Sequence, residues 1–590
     1  MPQSSQNTPH KILNVRFSNA VTSILVDTNE QFLETIQIKQ DSEPKDELPR
    51  QLQLRVHFLD SAQKDHNTIP TSVLLLEELE ELHLEKNQIE SIPKEISHLQ
   101  NIKVLYLNNN NITHICDELG ELQHLYSLDL SSNPLYYKTL NIISNVHYLR
   151  ELRLYNINLE EFPLEICKKL HHLQLLGLSS NYLKCLPPEI TNLIHLKEIY
   201  LKNNTFEDFP VPICSLTNLE VVDLERNSLT SIPVQIGSLT RLQKLFVGSN
   251  NILSIPKSLC HCTRLSVIDL SNNHNLRKLP HNFPDLKDLN ELSLSHNEMK
   301  IFPSPLCQVN SLCVLYVKNS CLKTLPPAIS DMKSIQILDL SQNKLTDFPT
   351  AICMLKNLQM LSLDDNLISM IPSEVKLLTK LNFLGLSGNR FIAFPEQICG
   401  IESLEKLYLG QDRGIKLSKL PESVSLLKNL KELYIENNNL QFLPSTLNQM
   451  QHLHVLDCHN NLLKQLPETI CQLQGLQKLL LHNNQLSGVP CNLDMLQTLE
   501  VLLLEENPLT DPPIELCSLG KSAVWEYLKQ KRRKNVLATK IQARWRGQMV
   551  RKGLGPFAYL RNINQKGKKT KKDKKTKGQA KKPQGKGKKK

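Results

Sequence analysis

The stretch Leu79-Glu80-Glu81-Leu82-His83-Leu84-Glu85-Lys86-Asn87 decides the fold. Its pattern, LxxLxLxxN, returns as Ile102/Leu105/Leu107/Asn110 and Leu125/Leu128/Leu130/Asn133 and continues to Leu499/Leu502/Leu504/Asn507. Nineteen units result, and the 420 residues from Asn87 to Asn507 divide into fourteen intervals of 23 residues, three of 24 and one of 26. Each LxLxx supplies a short strand with inward-pointing leucines that one unit cannot hide alone, so neighbours must stack. Parallel strands ~4.8 Å apart make nineteen units an inner arc of roughly 90 Å. The bulkier outer segments need more room than the strands, which bends the stack. A stack also escapes the ~250 to 300 residue limit on one compact core.

The second half of each unit, as in Ile92-Pro93-x-x-Ile96-x-x-Leu99, completes a pattern that resembles the leucine-rich repeat. It is most similar to the intracellular subclass of Ras-associated and Scribble-like scaffold proteins, over roughly residues 70 to 517. The resemblance implies an α/β solenoid, a horseshoe, here followed by a C-terminal helix and a disordered basic tail. The expected organisation is an N-terminal segment with a degenerate cap at 1–70, the solenoid at 71–520, a helix at 521–555 carrying a motif at 541–554, and a tail at 556–590. Leu52-Gln53-Leu54 and Ile69-Pro70 read as the degenerate unit, residues 1–45 as partly disordered, and Pro512-Pro513 as the stop of the array.

Composition narrows the function. Hydrophobic residues at 40% and charged residues at 22% are ordinary for a globular chain, and no run approaches the ~18 to 20 apolar residues that cross a bilayer. The start, MPQSSQNTPHKILN, lacks the order of a secretory signal. A soluble, cytoplasmic protein is expected; a nuclear or ciliary place is not readable. Only 19 of 590 residues are glycine, which leaves little for phosphate-cradling loops. GxSxG, GxxxxGKS/T and HExxH are absent, and the HCxxxxxR pattern fails because Ile268 stands where its arginine should follow Cys262. No enzyme, catalytic residue, cofactor or metal site is expected; a hydrolase or transferase would need a constellation invisible in sequence.

Cys167, Cys214, Cys260, Cys307, Cys353, Cys399, Cys471 and Cys517 all fall ten residues after the ninth repeat position, which reads as a small buried hydrophobe rather than a disulfide or metal ligand. The ninth position is Asn in sixteen units, with Ile157, Ser320 and Asp412 as departures. An Asn amide there can satisfy buried backbone groups where strand turns to loop. The single long interval, through Asp412-Arg413-Gly414-Ile415-Lys416, is either a recognition landmark on the rim or tolerated length variation.

Between the second and third leucines stand Tyr106, Tyr200, Phe246, Tyr316, Tyr408 and Tyr434, interspersed with Asp129, Asp223, Asp269, Asp339 and Asp457. One strand position earlier lie Val221, Val267, Val314, Ile337, Met360 and Phe383. Aromatics beside acids on a rigid arc suit a concave protein-binding face, with ordinary strand propensity as the competing explanation.

Formal charge is split. Residues 521–590 hold 26 Lys or Arg against Glu526 and Asp573, a net +24, so the overall +10 leaves 1–520 at −14. From Ser522 to Gly553 there is no proline, and Leu537, Ile541, Trp545 and Met549 recur every fourth residue among arginines and lysines. The result is a basic amphipathic helix. Within it Ile541, Gln542, Arg546, Gly547, Arg551 and Leu554 match every fixed position of the IQ motif, IQxxxRGxxxRxx followed by an apolar residue. The resemblance implies a calmodulin or calmodulin-like EF-hand partner. Ile541 and Leu554 would enter grooves, Trp545 join the apolar stripe, Gln542 bond a lobe's backbone, Arg546 and Arg551 meet acids, and Gly547 permit close approach. A solvated or membrane-surface basic helix is the competing reading. Trp525 is expected to dock on the last repeat. The tail from Gln565 has fourteen lysines and one acid, suited to nonspecific polyanion contact, nuclear import or solubility.

Repeats with one C-terminal IQ motif resemble the leucine-rich repeat and IQ motif-containing proteins. That resemblance implies a non-enzymatic scaffold in intracellular signalling; the alternative, from the Ras-associated repeats, is a regulator binding a small GTPase.

Overall fold

A computed structural model describes residues 16–17, 20–21, 56–552 and 554–557. They form two bodies: Met1–Leu409 with Arg413–Ile415, and Gly410–Asp412 with Lys416–Lys590. The expected disorder of residues 1–45 and 556–590 falls outside the described residues, apart from 16–17, 20–21 and 556–557.

In the first body the strands from Glu81–His83 onward are three residues long with a buried leucine, isoleucine or valine at the centre, as in Glu81–His83, where Leu82 is buried between half-buried neighbours. The strands pair in parallel at the repeat period: Leu82 lies opposite Leu105, and Leu105 opposite Leu128. This register continues strand by strand to Lys406–Tyr408. Most units return through a short 3-10 segment after a proline, such as Lys94–His98 following Pro93, while Leu164–Lys169 returns as an α-helix. Leu79, Leu82, Leu84, Ile89, Ile92, Ile96 and Leu99 of the first full unit are at most 3% exposed. Burying each such side chain contributes ~1.5 to 3 kcal/mol, repeated unit after unit.

The ninth-position asparagines hold adjacent turns together. Asn110 Nδ2 donates to Leu84 O and Leu107 O, both at 2.9 Å, and its Oδ1 accepts from Ile89 N at 3.0 Å. Ser320 keeps half of this, its hydroxyl donating to Leu294 O at 3.3 Å. Ile157 has no polar group to offer, and its own N–H reaches Asn181 Oδ1 at 3.0 Å.

The residue before the ladder position turns left-handed: Lys86, Asn109, Ser132, Asn203, Asn272, Asn460 and Asn483 all have φ between 52° and 57°. That region is costly for most side chains and least so for Asn. The Asn-Asn pairs of the sequence therefore divide two tasks, the first making the turn and the second bonding across it.

The degenerate unit sits later than the sequence suggests. Val56–Asp60 is the strand that pairs with Glu81–His83, Leu59 opposite Leu82, and Asn87 Oδ1 accepts from Lys64 N at 2.9 Å. Leu52-Gln53-Leu54 lies outside the described residues. Register follows from the 23-residue spacing between Leu59 and Leu82, which the poor match of Ser61 to a leucine position obscures. Arg16–Phe17 and Ala20–Val21 pair antiparallel, and the former also pairs with Val56–Asp60.

The second body repeats the pattern through strands Glu432–Tyr434, Val455–Asp457, Lys478–Leu480 and Val501–Leu503. At its beginning Gln411 is fully buried while Asp412 is exposed, so the extra residues shift the buried place by one. The array closes with a short helix, Ile514–Cys517, and then one continuous helix, Lys521–Lys552. No helix among the described residues is long and apolar enough to cross a membrane.

Candidate functional site

The helix Lys521–Lys552 has two halves with different surroundings. In its first half Val524 and Leu528 are each 1% exposed, packed as an i, i+4 pair on the end of the repeats. Polar contacts fix the same half. Tyr527 Oη donates to Asp511 Oδ1 at 2.9 Å, Lys531 pairs with the other Asp511 oxygen, and Arg532 pairs with Asp494. The hydrogen bond from Lys531 holds the Asp511 carboxyl below the usual range, and Asp511 in turn pushes the Lys531 ammonium up. Trp525, which the sequence puts forward as the docking residue, is only half-buried; Val524 and Leu528 fill that place.

From Val536 to Trp545 the apolar stripe stands exposed, and only Met549 near its end is half-buried, beside Gly555. Val536, Leu537, Ile541 and Trp545 are 48%, 58%, 67% and 53% exposed. Gln542, Arg546 and Arg551 are exposed around them. Leu554 lies past the end of the helix, its N–H bonded to Met549 O at 2.9 Å, and is exposed. Gly547 is half-buried, yet an added Cβ there would meet only the Arg551 guanidinium tip at 3.9 Å. Glycine inside a helix costs ~1 kcal/mol against alanine, and nothing within this chain requires it.

On the strands of the first body, Tyr106, Tyr200, Phe246, Tyr316, Phe383 and Tyr408 are all half-buried. Parallel register lines up Tyr106 with Asp129, and Tyr200 with Asp223 and then Phe246. Phe383 and Tyr408 touch at 5.1 Å between ring centres, and Tyr106 lies 4.8 Å from the His83 ring. Tyr200 Oη donates to Glu198 Oε2 at 2.7 Å, and burial raises its phenol, as it raises that of Tyr316. Tyr155 and Asp364, which sequence reading passed over, belong to the same face. The Tyr155 ring covers Gly177, where an added Cβ would lie 2.4 Å from it, and burial lifts its phenol to about 12. Asp364 leans over Gly385 and is pushed to about 6 by burial. The glycines in these strands were the signal, since each leaves room for the neighbouring side chain.

The recurrent aspartates also serve the fold. Oδ1 of Asp129, Asp223, Asp269 and Asp339 each accepts the N–H two residues on, at 2.8 to 3.0 Å.

In the second body Tyr434 is half-buried and its Oη donates to Glu432 Oε2 at 3.3 Å. Beside it Asp457 holds His459 Nδ1 at 2.6 Å, and the His459 and His482 rings stack at 4.4 Å.

The eight aligned cysteines are buried and free. Burial raises Cys167 to about 12 and Cys214 to about 11, which removes thiolate nucleophilicity at neutral pH. Among the described residues no group of three or more His, Cys, Asp or Glu is arranged to hold a metal ion.

Strands, ladder and return segments together define a leucine-rich repeat solenoid, and the family described as Leucine rich repeat matches residues 77–135, 194–252, 217–274, 240–299 and 421–486. Over 152 residues the chain is 54% identical to mouse Leucine-rich repeat and IQ domain-containing protein 4, a match covering 26% of each protein. The human protein of that name is 51% identical over 152 residues, 26% of this chain and 27% of the relative. The match thus spans about a quarter of the length of these curated relatives. Among solved structures, a TLR13–ssRNA13 complex aligns with a TM-score of 0.51 at 20% identity over 74% of this chain and 82% of that one, a likeness of fold alone.

Proposed function

We propose that this chain is a non-enzymatic protein-interaction scaffold: the repeat strands present a partner-binding face, and the C-terminal helix takes calmodulin or a calmodulin-like EF-hand protein. The observation that carries this reading is the contrast along one helix. Its first half is fixed by Val524, Leu528 and the ion pairs at Asp494 and Asp511, whereas Ile541 and Trp545 stand exposed. An apolar stripe ringed by arginines repels a second copy of itself and suits an acidic partner with hydrophobic grooves. Gly547 supports the same reading, since its missing side chain answers no need inside the chain. The strand face supports the other half, with six half-buried aromatics carried on rigid strands in the first body. A cytoplasmic signalling role accords with an EF-hand partner.

Calorimetric titration of the full-length chain with calmodulin, with and without calcium, tests the helix assignment. Binding in at least one condition, lost in Ile541→Glu and Trp545→Glu, is the expected result. No binding in either condition overturns it.

A further inference from the structure

One column of the first body's strand face has a chemistry of its own. Asp223, Phe246 and Asp269 stand side by side on adjacent strands, followed in register by Ser293, Tyr316 and Asp339. Phe246 is half-buried, and the strands on either side, ~4.8 Å away, each carry an aspartate in register with it. One oxygen of each aspartate is taken by backbone, through Glu225 N at 3.0 Å, Ser271 N at 2.8 Å and Ser341 N at 2.9 Å. The second oxygens receive no protein hydrogen bond among the described residues. No cation interrupts this run; Lys202, Lys244 and Lys318 stand in the flanking columns, and Lys202 is already held by Glu225 at 2.5 Å.

A ring between two carboxylates receives a planar cation well. A guanidinium stacks on the ring while its N–H groups reach the acids on both sides. Tyr316 beside Asp339 repeats half of the arrangement three strands on, ~14 Å away. In an extended peptide, residues four apart face the same way and lie ~13 Å apart. The geometry points to an extended peptide segment with two arginines separated by three residues as the ligand of this face. The first guanidinium lies over Phe246 between Asp223 and Asp269, and the second over Tyr316 beside Asp339. Val267 and Val314, in the adjacent column, take the arginine stems. This assignment rests on the strand-face reading and names its partner class.

Fluorescence anisotropy of labelled extended peptides with the full-length chain, at physiological ionic strength, tests it. Three probes are compared: arginines at the stated spacing, the same arginines adjacent, and both replaced by leucine. The spaced peptide is expected to bind at least tenfold more tightly than the adjacent one. Phe246→Ala and Asp269→Asn are each expected to weaken it tenfold or more with melting temperature unchanged, and Ile541→Glu to leave it alone. Equal affinity for the two arginine peptides, or full binding by both face variants, overturns the assignment. Preferential binding of the leucine peptide, lost in Phe246→Ala, overturns the arginine ligand while leaving the strand-face reading in place.

Discussion

Arg532 of the C-terminal helix pairs with Asp494, whose side chain is only 3% exposed, across 38 residues of sequence. The two ends of this contact are not equivalent: Arg532 keeps 33% of its side-chain exposure, so it can return to water, and the carboxylate cannot.

Removing the two partners should therefore cost different amounts. Arg532→Ala leaves a buried carboxylate uncompensated and should destabilise the docked stem by ~2 to 4 kcal/mol. Asp494→Ala releases an arginine to solvent and should cost about half that. Hydrogen exchange of residues 521–532 reads both, and equal effects would contradict the asymmetry.

Asp364 makes stability depend on pH. Its folded value, about 6, lies above the unfolded 3.8, so the native state binds the proton more readily. The resulting destabilisation is fully present above about 6 and fades as the pH falls toward 4. Denaturant titrations of Asp364→Asn should show a gain of up to ~3 kcal/mol at pH 7 that disappears near pH 4.

At the asparagine ladder, Asn110→Ala strands Ile89 N in the interior and leaves Leu84 O and Leu107 O with one donor each, Asn87 Nδ2 and Asn133 Nδ2. A loss of ~1 to 3 kcal/mol is expected. Asn110→Ser should cost less, because Ser320 shows that a hydroxyl recovers one of these bonds. Thermal melts of the two variants decide the order.

Gly547→Ala should raise helicity by circular dichroism and stabilise the helix by ~0.5 to 1 kcal/mol, since the added Cβ meets only Arg551 at 3.9 Å. Gly547→Leu should leave the helix intact while weakening calmodulin binding tenfold or more, if close approach is what the glycine serves.

The repeat period made most of the fold legible. Spacing alone located the leucines, the buried cysteines and the bonding asparagines, because each is fixed by its place in a unit. What remained hidden was fixed by contacts between units or beyond them. The degenerate strand Val56–Asp60 is recognised only by its pairing with Glu81–His83. Docking by Val524 and Leu528 rather than Trp525 depends on the surface offered by the last turns. Asp494 and Asp511 carry no motif; they matter because Arg532 and Lys531 reach them. The IQ residues were legible as a pattern, but their exposure follows from where the clamp ends.

Hydrogen–deuterium exchange of the full-length chain with and without calmodulin tests the central claim most directly. New protection confined to residues 536–554, with 521–532 unchanged, is the predicted result. Unaltered exchange across 536–554 at saturating calmodulin would contradict it.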